Sequence, residues 1–430
     1  MGEKLGALEL VQQSIAACEL WEPRLHAFAW IDANAALKKA RAADKARLGL
    51  NRPLQGLPIG IKDIFDTEGI PTEYGSPIFK GRVATSTAEA VLRLEAAGAI
   101  MFGKTVTAEL AFYAPGPTTN PWDRSRTPGG SSMGSAAAVS AGIVSGAIGS
   151  QTNGSVIRPA AFCGVVGFKS TAGLLPTDGM LHFSPTLDQP GVFATTVVGA
   201  WALAAAMAGG SPKEWGARPI LNRAPSFAAV RTPEWDDVEP TARAHFDAVI
   251  ATAVAAGATV RETPMPVSLR GAIPVHRTIM ATEAHRSVGP LVQAQRDLCS
   301  PQLDKLLSEG ASVPQSEYES ALALRRQTIE EFDRWASDFD AILTLPTPGE
   351  APSVETTGDP RFCTRWTLVG APALTLPTGS GPTGLPLGTQ LVGHRGADAD
   401  LIAVARWLES VRPGPGRPPV PMPADAKQPR

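Results

Sequence analysis

Two serine–glycine loops carry the residues of this chain that are best suited to nucleophilic chemistry. Residues 128–138 read PGGSSMGSAAA and residues 149–161 read GSQTNGSVIRPAA, with a predicted small-residue helix between them. Small side chains let a backbone approach a ligand closely, and clustered N–H groups at loop and helix ends can bind an oxyanion. One such loop is typical of a tightly packed turn. Two of them, together with the isolated Lys62 in the apolar run 56–64, favour a catalytic role.

A competing interpretation places the nucleophile at Ser132. Residues 130–134 (GSSMG) fit the G-x-S-x-G elbow, in which a serine stands between a strand and a helix of an α/β-hydrolase. The preceding residues, 120–128, are polar and indicate a loop rather than a strand. An enzyme of this kind also needs a histidine base, and the histidines that follow Ser132 are His182, His245, His276, His285 and His394. An esterase that uses Ser132 stays open as an alternative.

Motifs for nucleotides and metals fail on their details. Residues 379–384 have the spacing of a dinucleotide-binding loop, but Pro382 donates no backbone hydrogen bond and no helix is predicted after it. The four cysteines lie far apart, without a CxxC pair and without histidines at ligand spacing: Cys18, Cys163, Cys299 and Cys363. We therefore expect neither a cofactor nor a metal ion.

Charge and hydropathy narrow the classes of partner. The 430 residues include 39 Lys and Arg against 41 Asp and Glu, which gives a net charge of −2. This balance supplies no basic field for a polyanion, so nucleic acid is not an expected partner. The uncharged stretches 128–157 and 191–210 are too rich in serine, or in alanine and glycine, for a membrane-spanning helix. The first thirty residues carry charges and lack the apolar run of a signal peptide, so we predict a cytoplasmic protein.

The order of predicted elements indicates one large α/β domain. Apolar periodicity predicts helices first, then alternating strands and helices, then a more charged helical region, and finally a return of strands. The predicted fold is a central mixed β-sheet covered by helices, with a helical excursion in the second half. The predicted domain covers 1–411 and comprises a helical N-terminal segment (1–50), a catalytic core (51–210), the helical excursion (about 240–338) and the completion of the sheet (339–411), with a proline-rich tail (412–430) after it.

Several motifs, taken in order along the chain, resemble those of the amidase signature family. They are GLPIGIKD at 56–63, GGSSMGS at 129–135, the loop 149–161, LDQPG at 187–191, GAP at 370–372 and GLPLGTQ at 384–390. The likeness extends over most of the sequence, and the compact chain with Ser-Val-Ile-Arg at 155–158 is similar to malonamidase-like members. The resemblance implies the amidase signature fold and a serine hydrolase with a Ser-cisSer-Lys triad.

The same resemblance implies a role for individual residues. Ser155 is the nucleophile, Ser131 is the bridging serine and Lys62 is the base. The backbone N–H groups of residues 152–155 form the oxyanion hole. A lysine acts as a base near neutral pH only if its pKa is lowered, and the apolar residues around Lys62 supply that desolvation. The oxyanion-hole and substrate-binding positions are, beside Ser155 itself, Thr152, Asn153, Gly154, Ser132 and Arg158.

Three positions depart from the family pattern and leave the substrate open. The family often has aspartate where Gln151 stands, glycine or alanine where Asn153 stands, and glycine where Met133 stands. Only the backbone is needed at Asn153, so these changes concern the pocket wall rather than the reaction. Arg158 has two interpretations: it pairs with a buried carboxylate and holds the loop, or it holds a free carboxylate of the substrate through two parallel hydrogen bonds.

The sequence therefore predicts an enzyme that hydrolyses a small, non-peptide carboxylic amide to an acid and ammonia or an amine, through an acyl-serine intermediate. Esters, anilides and carbamates belong to the same chemistry. One alternative is an amidase-type subunit of a tRNA-dependent amidotransferase. Another is a catalytically silent binding protein on the same scaffold, although such a protein would need none of the three triad residues. The expected partner is a small-molecule amide, and a homodimer is a reasonable expectation for the assembly.

Overall fold

One mixed β-sheet forms the centre of the protein. The computed structural model describes residues 5–46, 52–209 and 220–420, and within these ranges the sheet has 11 strands. In chain order the strands are β1 (Phe28–Ile31), β2 (Pro58–Lys62), β3 (Ile100–Thr105), β4 (Gly146–Gln151), β5 (Val166–Lys169), β6 (Gln189–Ala194), β7 (Ser226–Ala229), β8 (Thr259–Glu262), β9 (Ala341–Thr344), β10 (Ala373–Ser380) and β11 (Pro386–Val392). Their order across the sheet is β1-β3-β2-β4-β6-β5-β10-β11-β9-β7-β8.

Helices cover this sheet. In chain order they are α1 (Ala7–Leu25), α2 (Ala33–Lys45), α3 (Glu89–Ala96), α4 (Met133–Ser140), α5 (Ile157–Cys163), α6 (Val197–Ala208), α7 (Pro240–Ala255), α8 (Val267–Arg270), α9 (Ala272–Ser287), α10 (Gly289–Val292), α11 (Pro301–Ser312), α12 (Gln315–Ala336), α13 (Arg361–Leu368) and α14 (Asp398–Val411). The mixed sheet, its helical cover and the run of helices from α7 to α12 confirm the predicted fold class. In the part of the chain that the structure describes, no helix is both long and apolar enough to cross a bilayer.

The strands at the centre of the sheet are buried along their whole length. Every residue of β2, β3, β4 and β6 is buried. Strands that are covered on both faces lack the alternation of apolar and polar residues that half-exposed strands show. This is why PIGIK at 58–62 and GAIGSQ at 146–151 consist mainly of apolar and small residues.

Small residues also set the distance between α4 and its neighbours. A Cβ added to Gly149 of β4 would lie 2.6 Å from Ser132 Oγ. A Cβ on Gly134 of α4 would lie 2.1 Å from the carbonyl oxygen of Ala27 and 2.4 Å from the backbone nitrogen of Val106. Because real side chains cannot approach so closely, the loop before α4 and the end of β4 pack at a distance that only glycine permits.

The pairing of the central strands brings the candidate residues to one edge of the sheet. β2 runs parallel to both β3 and β4, so the carboxyl ends of β2 and β4, at Lys62 and Gln151, lie at the same edge. β6 runs antiparallel to β4, and Gln189 at its start pairs with Gln151. The residue before β6, Asp188, therefore reaches the same edge as Lys62.

The structure contains elements that the sequence does not predict. β1 interrupts the predicted helical N-terminal segment, and it pairs antiparallel with β3 at the border of the sheet. α13 and α14 lie within the region for which the sequence predicts strands. Residues 1–4, 47–51, 210–219 and 421–430 lie outside the described residues, among them parts of the predicted N-terminal segment and most of the predicted tail. Residues 412–420 of that tail form neither helix nor strand.

Candidate active site

Lys62 lies at the end of β2 with its side chain fully buried. Its Nζ atom is 2.9 Å from Ser131 Oγ and 2.9 Å from Ser150 Oγ. Burial lowers the pKa of Lys62 to about 7, while the nearby charge of Asp188 acts in the opposite direction. At neutral pH a large fraction of this lysine is therefore uncharged, with a lone pair that can accept a proton.

Ser131 belongs to a loop that the backbone of its neighbours holds tightly. The peptide bond between Gly130 and Ser131 is cis. The Ser131 carbonyl accepts a hydrogen bond from the Ala108 backbone N–H at 3.0 Å. Gly129 has a φ of 84°, and a Cβ there would lie 2.7 Å from the Cα of Pro159. Both the left-handed conformation and this close contact require glycine at position 129.

Ser155 lies in the short loop between β4 and α5. Its residue is 6% exposed, and its hydroxyl forms no hydrogen bond with any residue in the described ranges. Gln151 closes the loop, because its Oε1 accepts hydrogen bonds from the backbone N–H groups of Val156 at 2.9 Å and Ile157 at 3.0 Å. The hydroxyl is thus held at an almost closed surface without a protein partner.

The backbone between Gln151 and Ser155 is fixed from several sides. The Thr152 hydroxyl donates to Asp188 at 2.6 Å, and His276 donates from Nε2 to the Thr152 carbonyl at 2.8 Å. The Thr367 hydroxyl donates to the Asn153 carbonyl at 2.6 Å. Within the described ranges, the backbone N–H groups of residues 153–155 donate to no protein acceptor. Buried N–H groups without an acceptor are rare, so these groups are available to an oxyanion.

Asp188 and His276 carry pKa values that differ from the ordinary ones. Burial raises the pKa of Asp188 to about 7, although its carboxylate accepts hydrogen bonds from Thr152 and from the backbone of Phe183 and Ser184. Burial lowers the pKa of His276 to about 4, so this imidazole is neutral at physiological pH. A neutral imidazole that donates from Nε2 to a carbonyl holds the loop without adding a charge.

Ser132 lies behind the loop rather than in front of it. The residue is fully buried, and its hydroxyl lies 3.2 Å from the Ser150 carbonyl oxygen and 3.3 Å from the Ser150 backbone nitrogen. It follows a loop and precedes α4, without a preceding strand. None of the later histidines, all of which are described, forms a hydrogen bond with a serine hydroxyl. The geometry supplies no histidine base for Ser132 and disfavours the elbow interpretation.

Arg158 is the second amino acid of α5, and its guanidinium is fully buried. Nε donates to the Thr357 carbonyl and Nη2 to the Gly130 carbonyl, both at 2.7 Å. Nη1 has no partner within the described residues. The first interpretation, in which Arg158 pairs with a buried carboxylate, is therefore wrong, because its protein partners are backbone carbonyls. A Cβ on Gly154 would lie 3.1 Å from Nη1, so the unpartnered nitrogen lies beside the Ser155 loop.

The structure adds residues to this site that sequence reasoning missed. Ser150 is part of the quoted loop, and Asp188 is part of the LDQPG motif, so both had a signal that was not used. His276 comes from α9 and Thr367 from α13. These two had no local signal, because only tertiary contacts bring their elements to the loop.

Comparisons with known proteins agree with this geometry. A family model described as Amidase matches residues 9–402. The amidase-type subunit of a glutamyl-tRNA(Gln) amidotransferase from Anaeromyxobacter sp. (strain K) is 34% identical, over 94% of this chain and 93% of the relative. A solved structure described as an amidase is 31% identical, with a TM-score of 0.86 over 95% of this chain and 96% of its own. The peptide amidase from Stenotrophomonas maltophilia is 25% identical, with a TM-score of 0.84 over 97% and 96%. By its sequence and its fold, the chain belongs to the amidase signature family.

Proposed function

We propose that this protein hydrolyses the C–N bond of a small carboxylic amide, with Ser155 as the nucleophile, Ser131 as the proton relay and Lys62 as the base. The observation that carries the proposal is the buried, largely neutral Lys62 in contact with the hydroxyl of Ser131. Neutral Nζ can accept a hydrogen bond from Ser131 through its lone pair while it donates to Ser150. Ser150 thereby orients the base toward the bridging serine.

The reaction then proceeds in two steps. Ser155 Oγ attacks the amide carbonyl, and its proton passes through Ser131 to Lys62. The negative charge on the carbonyl oxygen is stabilised by the free N–H groups of residues 153–155. Lys62 returns the proton through Ser131 to the leaving nitrogen, the C–N bond breaks, and an acyl-serine remains. Water then hydrolyses this ester by the reverse proton path and releases the acid.

Arg158 supports a substrate that carries a carboxylate on its acyl part. A buried cation that pairs with no carboxylate among the described residues, and that keeps one nitrogen without a partner, is a costly arrangement unless an anion binds there. Because Nη1 lies next to Gly154 and the nucleophile follows at Ser155, the carboxylate and the scissile carbonyl must be close together. A short monoamide of a dicarboxylic acid meets this requirement.

An active-site label tests the nucleophile. A fluorophosphonate should add to Ser155, and mass spectrometry of the digested protein should locate the adduct there. Ser155→Ala should abolish both labelling and ammonia release without loss of folded protein, whereas Ser132→Ala should keep the label. An adduct on Ser132, or a folded Ser155→Ala variant that still turns over, would overturn the assignment.

A pair of matched substrates tests the role of Arg158. Malonamate and propionamide differ chiefly in charge, and Arg158→Lys should lower kcat/KM for malonamate far more than for propionamide. Lysine has one nitrogen, so it cannot hold the Thr357 and Gly130 carbonyls and also reach the substrate. Equal losses on the two amides would assign Arg158 to structure and leave neutral amides as substrates.

The amidotransferase relatives define the second candidate function. The relative from Anaeromyxobacter is one subunit of a glutamyl-tRNA(Gln) amidotransferase, and the alignment covers nearly all of both chains. A protein of that kind acts with partner proteins, whereas a stand-alone amidase acts by itself. Ammonia release from simple amides by the purified chain alone supports the amidase. Activity that appears only after addition of amidotransferase partner subunits would favour the second candidate.

A further inference from the structure

We propose that Tyr113 donates a second hydrogen bond to the substrate carboxylate beside Arg158, and that Asn153 is a positioning residue that turns the Tyr113 hydroxyl toward it. This inference rests on the proposed function, since it concerns the acyl pocket of an enzyme that binds a carboxylated amide. It also gives a role to Asn153, at which the sequence departs from the family pattern.

The first step of the argument is that Arg158 cannot hold a carboxylate by itself through a parallel pair of bonds. Two of its three nitrogens are occupied by the carbonyls of Thr357 and Gly130. Only Nη1 is left, so the guanidinium cannot present two nitrogens to the two oxygens of a carboxylate. One carboxylate oxygen therefore needs a donor from another residue.

Tyr113 lies where that donor is needed. The Arg158 guanidinium lies over the Tyr113 ring, with its central carbon 5.7 Å from the ring centre. Arg158 is fully buried, whereas Tyr113 is only partly buried, so the tyrosine lies toward the open side of the pair. A carboxylate that reaches Nη1 thus comes close to the tyrosine hydroxyl.

A chain of hydrogen bonds decides the direction of the Tyr113 hydroxyl. Thr364 Oγ1 donates to Asn153 Oδ1 at 2.6 Å, and this orients the amide so that Nδ2 donates to Tyr113 Oη at 2.7 Å. The tyrosine oxygen is then an acceptor toward Asn153, and its own hydrogen must point elsewhere. That hydrogen has no acceptor among the described residues. It is available to a ligand.

The electrostatics agree with an anionic ligand. The positive charge of Arg158 lowers the pKa of Tyr113, while burial of the ring raises it more strongly. The hydroxyl therefore keeps its proton at neutral pH and acts as a donor rather than as an anion. One cationic N–H and one neutral O–H then face the two oxygens of a single carboxylate.

Tyr113→Phe tests the inference, because it removes the hydroxyl and keeps the ring under Arg158. KM for malonamate should rise by about ten- to a hundredfold, the usual effect of losing one hydrogen bond to a charged group. Neither kcat for malonamate nor kcat/KM for propionamide should change appreciably. Binding of malonamate to Ser155→Ala, with and without Tyr113→Phe, should give the same ratio by calorimetry without turnover.

Tyr74→Phe is the matched control, because the Tyr74 hydroxyl donates to Asp66 rather than to the Asn153 network. A second variant, Asn153→Leu, keeps the size of the side chain but cannot donate to Tyr113, and it should raise KM for malonamate by a smaller factor. Equal changes on both amides in Tyr113→Phe, or no change at all, would overturn the inference. Failure of the proposed function appears differently, as no preference for malonamate in the wild type or no effect of Arg158→Lys.

Discussion

Lys62→Ala should lower kcat/KM for amide hydrolysis by about 10²–10⁴-fold, which is the usual contribution of a general base. The magnitude follows from burial, which lowers the Lys62 pKa from 10.5 to about 7. At pH 7 this raises the neutral fraction from about one molecule in three thousand to about one half. Lys62→Arg is the matched control. It keeps the charge, but its guanidinium does not lose a proton, so it should be as inactive as the alanine variant.

The wild-type pH profile provides the assay. Between pH 5 and 10, kcat/KM from ammonia release should rise through a single ionisation near pH 7, since only neutral Lys62 accepts the proton from Ser131. Substitution of His182, His245, His276, His285 or His394 should not remove this ionisation. A rise centred near pH 10, a Lys62→Ala variant with more than a tenth of the wild-type rate, or a histidine variant as inactive as Lys62→Ala would refute the reasoning.

Stability gives a check on the same quantity without a substrate. The unfolded chain holds Lys62 at its ordinary pKa of 10.5 and the folded protein near 7, so unfolding takes up a proton between these values. The free energy of unfolding therefore rises with pH in this window, and the cost at pH 7 is up to about 5 kcal/mol. Lys62→Met removes that cost. It should be more stable than the wild type at pH 7 in urea unfolding, and the difference should shrink toward pH 10.

Three further predictions concern packing and charge. Gly134→Ala should lower the free energy of unfolding by about 1–3 kcal/mol or more, because its Cβ would lie 2.1 Å from the Ala27 carbonyl oxygen, whereas Gly271→Ala, with no atom closer than 3.7 Å, should change it little in the same urea titration. Asp188→Asn removes the charge that raises the Lys62 pKa, so the acidic limb of kcat/KM should move to lower pH, and an unchanged limb would show that Asp188 does not act on Lys62. Burial lowers the His245 pKa from 6.5 to about 4, so the folded protein should lose stability as the pH falls from 6.5 to 4. His245→Gln should reduce this loss in urea titrations without changing amide turnover, and an equal loss in the variant would contradict the prediction.

The sequence allowed the central part of the fold and the candidate catalytic side chains to be predicted, because their signals are local. A buried strand around Lys62 has continuous apolar neighbours, and the serine–glycine loops show their need for close packing in their composition. The positions of His276 and Thr367 could not be predicted, since α9 and α13 reach the loop only through tertiary packing. Strand β1 was missed because four residues between two helices give almost no periodic signal, and its pairing with β3 is what makes it a strand.

The partners of the Ser155 loop have a consequence for the order in which the protein becomes competent during its synthesis. Lys62, Ser131 and Ser155 are all translated within the first 155 residues. The groups that hold the loop come much later: the Thr357 carbonyl that binds Arg158, and the hydroxyls of Thr364 and Thr367 that bind Asn153. A growing chain therefore contains the complete set of proposed reacting side chains long before the loop that carries the nucleophile can be fixed. We expect amide-hydrolysing activity to arise only when translation is nearly complete, so that unfinished chains carry no unregulated hydrolase.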